Sequence, residues 1–114
     1  MEQSGKLLSL FRWRPRPQRS ADEQKRVDAE TELLALYHFS VCPYCTKVRR
    51  AIKRLGLNIE LRNAAKYPAY GHELRQQGGK LQTPCLRIQH KDKKVEWLYE
   101  SADIVRYLEQ RFNL

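Results

Sequence analysis

Long hydrophobic runs are largely missing from this sequence. No apolar stretch approaches the roughly 18 residues that a transmembrane helix needs. The short apolar patch at 7–11 is interrupted by Arg12 and Arg14 and has no small-residue cleavage site after it. We therefore predict neither a transmembrane segment nor a secretory signal, and we expect the protein in the cytoplasm. Internal repeats and low-complexity tracts are also missing, and 114 residues fit one domain around a single core.

Cysteine is scarce, and acidic residues are outnumbered by basic ones. Three cysteines are too few for a disulfide-stapled secreted scaffold. The 22 basic and 13 acidic residues give a formal charge of +9, which favours anionic partners of any kind. Because no predicted helix has a basic stripe with interleaved aromatic residues, and no RNA-binding signature is present, nucleic acid is not an expected partner.

The N-terminal segment differs in composition from the rest of the chain. Residues 1–19 include arginines that alternate with bulky residues and proline, which suits neither an amphipathic helix nor a central strand. We therefore expect a flexible basic arm. Its arginines and Trp13 offer a contact for an anionic membrane surface, but a solvated extension is the expected state. Ser20 and Glu23 then form an S-x-x-E capping box, which predicts a short helix within residues 20–32.

Residues 33–114 show the alternation of helix and strand patterns that is typical of an α/β domain. The hydrophobic pattern predicts strands at 33–39 and 57–62, with a helix at 42–55 between them that ends at Gly56. A second helix is predicted at 70–77, then a hairpin of strands 85–88 and 95–99, and a last helix with Ser101 as its N-cap and an apolar face that reaches Phe112. The order is β-α-β-α-β-β-α, and its first strand–helix–strand unit favours a right-handed parallel crossover.

The clearest chemical signal is the C-x-x-C spacing of Cys42 and Cys45 at the start of a predicted helix. Unpaired N–H groups and the positive end of the helix dipole stabilise a thiolate there and lower its pKa, so Cys42 is the predicted nucleophile. Pro43 suits the first helical turn, and Cys45 lies on the same face one turn deeper. We therefore predict that Cys45 resolves the mixed disulfide that Cys42 forms.

The spacing alone leaves two other interpretations open. The pair is also compatible with half of a zinc site completed by Cys85 and either His38 or His90, or with two inert buried side chains. Zinc sites usually have two paired-ligand knuckles, and this sequence has one. We therefore favour redox chemistry and predict no metal site. Cys85 is expected to be a buried strand residue, and both histidines are expected to be structural or solvated.

Three segments of the chain resemble one known superfamily. C-P-Y-C at 42–45 resembles the dithiol motif of glutaredoxins, which have the thioredoxin-like fold. Q-T-P-C-L at 82–86 aligns with a Q-V-P-x-L pattern, and Y-E-S-A-D-I-V at 99–105 aligns with an E-S-x-D-I-V pattern. Both patterns are similar to glutathione-site segments of the glutathione transferase N-terminal domain and of the two-domain bacterial glutaredoxin. The resemblance implies a three-layer α/β fold with a mixed four-stranded sheet flanked by helices.

The same resemblance implies a binding site for glutathione. Pro84 is expected to be cis and to face the cysteines, so that the backbone of Thr83, next to Gln82, pairs with the cysteinyl part of glutathione. Glu100 and Ser101 are expected to hold the γ-glutamyl end. The carboxylate meets its ammonium group, while the hydroxyl and the helix N-terminal N–H groups meet its carboxylate.

The remaining contacts that the resemblance implies concern the two ends of the cleft. Tyr44 is expected to flank the thiol as a packing wall. Phe39 stands where many small glutaredoxins carry a lysine, three residues before the first cysteine. The glycine carboxylate of glutathione then needs another cation, and by position Lys80 or Arg75 is the candidate.

Together these segments predict a glutathione-dependent thiol–disulfide oxidoreductase of the glutaredoxin type. Its expected partners are glutathione and disulfide-bonded or glutathionylated proteins, and it is expected to be a monomer. The alternative is a binding module, which carries an iron–sulfur cluster or zinc or serves as a glutathione-fold adaptor; the Pro43-Tyr44 pair argues against iron–sulfur assembly. Transferase activity is disfavoured, because the sequence shows no helical second domain and has a cysteine where many transferases use serine or tyrosine.

Overall fold

The computed structural model describes residues 19–112, so the predicted arm lies outside the described part except for Arg19. These described residues form four helices and four strands. The helices are α1 (Ala21–Thr31), α2 (Pro43–Arg54), α3 (Pro68–Gly78) and α4 (Ser101–Phe112), and the strands are β1 (Leu34–His38), β2 (Glu60–Asn63), β3 (Cys85–Gln89) and β4 (Val95–Tyr99). No helix within residues 19–112 is long and apolar enough to cross a membrane.

The four strands form one mixed sheet in the order β2-β1-β3-β4. Strand β1 pairs in parallel with β2 and antiparallel with β3, and β3 and β4 form an antiparallel hairpin. Leu36, at the centre of β1, lies opposite Leu61 on one side and Leu86 on the other. The predicted thioredoxin-like α/β fold and its element order are therefore confirmed, including the short helix in the N-terminal extension.

Helix α2 has both of its ends defined by local sequence. Cys42 is the N-cap, in an extended conformation, and Pro43 occupies the first helical position. At the other end Gly56 has a φ of 66°, where a left-handed conformation favours glycine. The Gly56 N–H donates to the Lys53 carbonyl oxygen, and the Leu57 N–H donates to the Ile52 carbonyl oxygen. These two hydrogen bonds form a Schellman motif. The predicted stop at Gly56 is thus confirmed.

Strand β2 and helix α3 depart from their predicted bounds. Strand β2 begins at Glu60 rather than at residue 57, because the N–H of Leu57 caps α2 and its side chain packs in the core before the strand begins. Helix α3 begins at Pro68 rather than at residue 70, because proline at the first helical position loses no hydrogen bond there. Leu57 is apolar because it packs in the core at the end of α2, and the alternating pattern of residues 57–62 did not distinguish it from a strand residue.

The core lies on both faces of the sheet. The larger cluster is apolar and packs α2 and α4 against one face, with Leu36, Val48, Ile52, Leu86, Ile104 and Leu108 at its centre. The opposite face carries Tyr37, Leu74 and Cys85 under α3. There the buried Tyr37 hydroxyl donates to Glu73 of α3 and accepts from Arg62 of β2, at 2.6 Å. These contacts fix α3, and with it the start of the segment that leads into β3.

Helix α1 is attached to the main domain by charged side chains. The capping box predicted from Ser20 and Glu23 is present in both directions, at 3.1 Å each. The guanidinium of Arg19 donates to the carbonyl oxygen of Leu55 at 2.7 Å, at the C-terminus of α2. Arg111 of α4 pairs with Glu30 of α1 at 3.1 Å. The division into residues 1–19, 20–32 and 33–114 stays a prediction.

Candidate functional site

Three chain segments that are far apart in sequence border one cleft. They are the start of α2, the segment before β3 and the start of α4. The cleft has a volume of about 630 Å³. It is lined by Tyr44, Gln82, Thr83, Pro84, Glu100, Ser101, Ala102 and Asp103. Six of the seven residues predicted to contact glutathione are in this set; the seventh, Lys80, is not.

Cys42 occupies the position where a helix start can stabilise a thiolate. The backbone N–H of Cys45 donates to the Cys42 sulfur at 3.4 Å. Partial burial alone would raise the pKa of Cys42, but hydrogen bonds from the Cys45 thiol and backbone, the Tyr44 N–H and the Thr83 hydroxyl lower it below its ordinary value. The structure thus gives Cys42 a thiol of enhanced acidity at the start of α2.

Cys45 has the opposite character. Its side chain is fully buried, and its sulfur accepts a hydrogen bond from the Phe39 N–H at 3.5 Å. Burial, together with the neighbouring Cys42 sulfur, raises the pKa of Cys45 despite that hydrogen bond. Both cysteines are free thiols. Of the two, Cys42 is therefore the first to ionise, and Cys45 keeps its proton close beside it.

The peptide bond between Thr83 and Pro84 is cis, as predicted. The resemblance implies only a main-chain contact for Thr83, which stands where the Q-V-P-x-L pattern has valine. In the structure its hydroxyl lies close enough to both Cys42 and Cys45 to lower the pKa of each. Threonine therefore adds a polar contact to the dithiol that valine lacks.

Glu100 and Ser101 lie at the start of α4, and both line the cleft. Glu100 has a φ of 74°, a left-handed conformation that is uncommon for a residue with a side chain. Its carboxylate accepts from the Gln82 amide at 3.2 Å, and its carbonyl oxygen accepts from the Ile104 N–H at 3.0 Å. Ser101 is the first residue of α4 rather than the predicted N-cap, because the Glu100 carbonyl oxygen already accepts the first helical hydrogen bond. The first residues of α4, whose N–H groups have no partner within the helix, line the same cleft.

Arg49 of α2 is a functional candidate that the sequence analysis did not single out. Its guanidinium donates to the carbonyl oxygens of Phe39 and Ser40, both at 3.1 Å, to His38 Nδ1 at 3.0 Å and to the Thr46 hydroxyl at 2.9 Å. Burial and the Arg49 charge both lower the pKa of His38. Arg49 thereby holds the loop that carries Cys42. No local sequence pattern predicts a contact between a helix residue and a loop nine to eleven positions earlier in the chain.

Lys80 and Cys85 lie close to Tyr99, on the side of β3 and β4. The Lys80 ammonium lies 4.6 Å from the centre of the Tyr99 ring, and the Tyr99 hydroxyl donates towards the carbonyl oxygens of Gly78 and Lys80. Burial raises the pKa of the Cys85 thiol to about 12. The Tyr99 pKa also rises to about 12, because of burial and the neighbouring Cys85.

The residues of the alternative zinc site are engaged with other partners. His38 contacts Arg49, and His90 pairs with Glu96 at 3.1 Å on the β3–β4 hairpin. Within residues 19–112 no group of three or more histidine, cysteine or acidic side chains is arranged to hold a metal ion. The described geometry therefore gives no support to a zinc site made from these residues.

The family model for the glutathione S-transferase N-terminal domain matches residues 36–114 of this chain. The chain therefore belongs to that family, whose thioredoxin-like fold also relates it to the glutaredoxins. The matched residues include both cysteines of the C-x-x-C motif and every residue that lines the cleft. No curated protein matches the chain significantly in sequence.

Solved structures of two kinds share the fold. Maleylacetoacetate isomerase from Anaeromyxobacter dehalogenans 2CP-1, solved with bound dicarboxyethyl glutathione and citrate, is 25% identical with a TM-score of 0.53 over 69% of this chain and 36% of its own. Glutathione transferase Omega 3C from Trametes versicolor is 22% identical with a TM-score of 0.55, over 78% and 38%. Wheat glutaredoxin is 17% identical with a TM-score of 0.51, over 79% and 80%. This chain thus spans about a third of the isomerase and most of the glutaredoxin.

Proposed function

We propose that this protein is a glutathione-dependent thiol–disulfide oxidoreductase of the glutaredoxin type. The observation that carries the proposal is the asymmetry of the two thiols beside the cleft. Cys42 has a lowered pKa at the start of α2, and Cys45 is buried with a raised pKa next to it. An exchange enzyme needs this combination of one attacking thiolate and one neighbouring thiol held in reserve.

The proposed reaction proceeds by two sulfur displacements. The Cys42 thiolate attacks one sulfur of a disulfide, a new bond forms to that sulfur, and the other sulfur leaves as a thiolate that takes a proton from water. When the substrate is a glutathionylated protein, Cys42 attacks the glutathione sulfur and the protein thiolate leaves; a glutathione thiolate then attacks the glutathione sulfur of the mixed disulfide, which releases Cys42 as a thiolate and gives oxidised glutathione. When the substrate is a protein disulfide, the Cys45 thiolate attacks the Cys42 sulfur, the second substrate sulfur leaves as a thiolate, and two glutathione molecules reduce the Cys42–Cys45 disulfide and become oxidised glutathione.

Glutathione fits the cleft by the chemistry of its walls. The cysteinyl part is placed along the Thr83 backbone, beside the cis Pro84, where the added-strand contact brings its sulfur towards Cys42. The γ-glutamyl ammonium is placed at the Glu100 carboxylate and its carboxylate at the start of α4, with Ser101. Membership of the transferase N-terminal family and the glutathione derivative bound to the isomerase support this ligand.

The proposed partners and location follow from the same chemistry. Disulfide-bonded or glutathionylated proteins are the proposed substrates, because Tyr44 and the cleft are open to solvent beside Cys42. Three free thiols and a glutathione-using site suit the reducing cytoplasm. We propose a monomeric enzyme there, which acts without nucleic acid.

A glutathione-coupled disulfide reduction assay tests the proposal. The Cys42→Ser variant is expected to lose at least about 1,000-fold in rate, because a serine hydroxyl is not ionised at neutral pH and forms no disulfide. Cys85→Ser is the matched control, since it makes the same atomic change in a thiol whose raised pKa keeps it protonated. Full activity of Cys42→Ser contradicts the proposal and favours a binding or adaptor role.

A further inference from the structure

Helix α2 carries the most uneven charge of the four helices. It has five basic and no acidic residues, whereas α1 has four acidic and two basic residues, and α3 and α4 each have equal numbers. Arg49 is engaged with the loop before α2, and Arg54 pairs with a glutamate of α4 at 3.0 Å. The other three, Lys47, Arg50 and Lys53, are exposed, and none of them pairs with an acidic side chain among residues 19–112. Helix α2 therefore presents unpaired positive charge to solvent.

Most of the basic residues of α2 share one side of the helix. The buried residues of α2, at positions 45, 48, 51 and 52, face the core. Because residues three and four apart lie on one side of an α-helix, Lys47, Arg50 and Arg54 lie together on the opposite side, with Lys53 beside them. We call these four residues the α2 basic face. At a rise of about 1.5 Å per residue, the face begins about 8 Å from Cys42 along the helix axis and ends about 18 Å from it.

The fold by itself does not account for this face. Lys53 and Arg54 lie in the last turn, where positive charge complements the helix dipole. Lys47 and Arg50 lie outside that turn, where the dipole has little effect. Arg50 also repels Arg54, because like charges four residues apart destabilise a helix. An anionic partner would offset this repulsion, so the charge points to a ligand of α2 rather than to the packing of the fold.

The residues next to Cys42 are apolar and exposed. Val41 is 94% exposed and Tyr44 is 64% exposed. Single exposed apolar side chains are common, but these two stand directly before the attacking thiol and two residues after it. Tyr44 also lines the cleft, whose charged lining residues, Glu100 and Asp103, are both acidic. A substrate joined to Cys42 therefore has an apolar contact, an acidic cleft and a basic helix face within reach.

We propose that the α2 basic face and Val41 dock the polypeptide part of the substrate, and that the preferred substrates are proteins with acidic residues close to a glutathionylated cysteine. This inference rests on the proposed function, because it names the substrate class of Cys42. The glutathione part occupies the cleft, and the acidic segment lies along α2. The Cys42 thiolate attacks the glutathione sulfur, the bond to the protein sulfur breaks, and the protein thiolate leaves and takes a proton from water.

Charge and chemistry together favour a polypeptide over a lipid surface. An anionic bilayer also attracts positive charge, but it offers no disulfide to the neighbouring Cys42. Attraction between the α2 basic face and an acidic segment raises the rate of encounter and orients the substrate. Because exposed charges are screened beyond about 8 Å at physiological ionic strength, the acidic residues must lie within a few positions of the cysteine.

The test compares three glutathionylated peptides that differ only in charge. Each has one cysteine in a mixed disulfide with glutathione, and the residues on both sides of it are glutamate, glutamine or lysine. The reduced full-length protein is mixed with each peptide, and the release of peptide thiol is followed in a single turnover. Each rate is divided by the rate of the same peptide with 2-mercaptoethanol, an uncharged thiol, which removes differences in intrinsic reactivity.

The glutamate peptide is expected to react at least about tenfold faster than the lysine peptide in about 0.01 M salt, with the glutamine peptide between them. In about 1 M salt the three rates are expected to agree within about twofold, because exposed charges are then screened beyond about 3 Å. A glutamate-to-lysine rate ratio of about one in low salt overturns the inference.

Two double variants separate the α2 basic face from the net charge of +9. Lys47→Gln with Lys53→Gln is expected to lower the glutamate-to-lysine rate ratio by about fivefold. Lys91→Gln with Lys94→Gln is the matched control, since it removes the same two charges from exposed positions in the turn after β3, at the other end of that strand from the cleft. This control is expected to keep the ratio within about twofold. An equal loss in both variants assigns the attraction to the whole chain and overturns the inference.

The same peptides distinguish failure of this inference from failure of the proposed function. If Cys42→Ser releases the peptide thiols as fast as the unmodified protein, the proposed function and the inference both fall. If Cys42 is required but the three peptides react at equal normalised rates, the function stands and only the docking surface is wrong. Pelleting with phosphatidylserine vesicles that is lost in the Lys47→Gln, Lys53→Gln variant, together with equal peptide rates, would assign the α2 basic face to a membrane instead.

Discussion

Cys42 and Cys85 lie at the starts of a helix and a strand, yet their thiols have opposite properties. Cys42 caps α2, where N–H groups donate to its sulfur and its pKa is lowered. Cys85 begins β3 directly after Pro84, is fully buried, and has a pKa raised to about 12. The comparison indicates that burial and the hydrogen bonds at each sulfur set the acidity of the two thiols.

Alkylation at neutral pH gives the largest expected difference between the two positions. A pKa of about 12 leaves about one thiolate in 10⁵ at pH 7, whereas a pKa below 9.0 gives Cys42 more than about one in 100. We therefore expect iodoacetamide to modify Cys42 at least about 1,000 times faster than Cys85, as measured by peptide mass mapping of the native protein. Comparable rates in the folded state would contradict the assigned environments.

The pH dependence of stability under alkaline conditions tests whether the pKa of Cys85 is raised in the folded protein. Its folded-state pKa lies above the unfolded value of 9.0, so the unfolded chain releases a proton that the folded chain keeps. The stability that the protonated Cys85 thiol contributes is fully present below pH 9. As the pH rises from 9 towards about 12, the free energy of unfolding falls by about 1.4 kcal/mol per pH unit. Tyr99 adds to the slope in the upper part of this range.

The Cys85→Ala variant provides the reference for that measurement. Its free energy of unfolding, measured by urea titration, is expected to fall less between pH 8 and 10.5 than that of the unmodified chain, by about 2 kcal/mol. Parallel curves for the two proteins would show that Cys85 ionises in the folded state as easily as in the unfolded state.

A smaller effect is expected when the support of the Cys42 loop is removed. Arg49→Met deletes the donors to His38, Phe39 and Ser40, and a loop that is less fixed holds Cys42 less well against the N–H groups of α2. We expect the apparent pKa of Cys42, from the pH dependence of alkylation, to rise and the exchange rate at pH 7 to fall by about tenfold.

Arg50→Met is the matched control for this variant. It removes the same charge from the next residue of the same helix, at an exposed position. Loss of positive charge near the thiol is therefore common to both variants, and only Arg49→Met loses the loop contacts. If the two variants shift the Cys42 pKa equally, Arg49 acts through its charge and has no positioning role.

The smallest effect is expected for catalysis in the Cys85→Ala variant. Its turnover is expected to remain within about twofold of the unmodified protein at pH 7, while a buried cavity lowers the free energy of unfolding by about 1 kcal/mol. A turnover that falls by more than tenfold in a protein that remains folded would make Cys85 a third participant in the proposed redox chemistry.

Features that depend on neighbours in sequence were predictable from the chain alone. Cys42 and Pro43 at a helix start, Gly56 at its end and the Ser20–Glu23 capping box each depend on bonds within a few residues, and each is confirmed. The order of elements follows from local hydrophobic periods for the same reason. The cis bond at Pro84 was implied by family resemblance rather than by local physics, and it too is present.

Features that depend on contacts between distant segments were decided by the tertiary structure. Lys80 lies on the Tyr99 ring and Arg49 on the loop before α2 because those partners come close only when the sheet and helices assemble. The same holds for the Thr83 hydroxyl beside the two thiols. By itself the sequence determined which residues are able to do thiol chemistry. Only the packed fold decided by which contacts the pKa of each thiol is raised or lowered and which charges line the cleft, because burial and long-range hydrogen bonds set those pKa values.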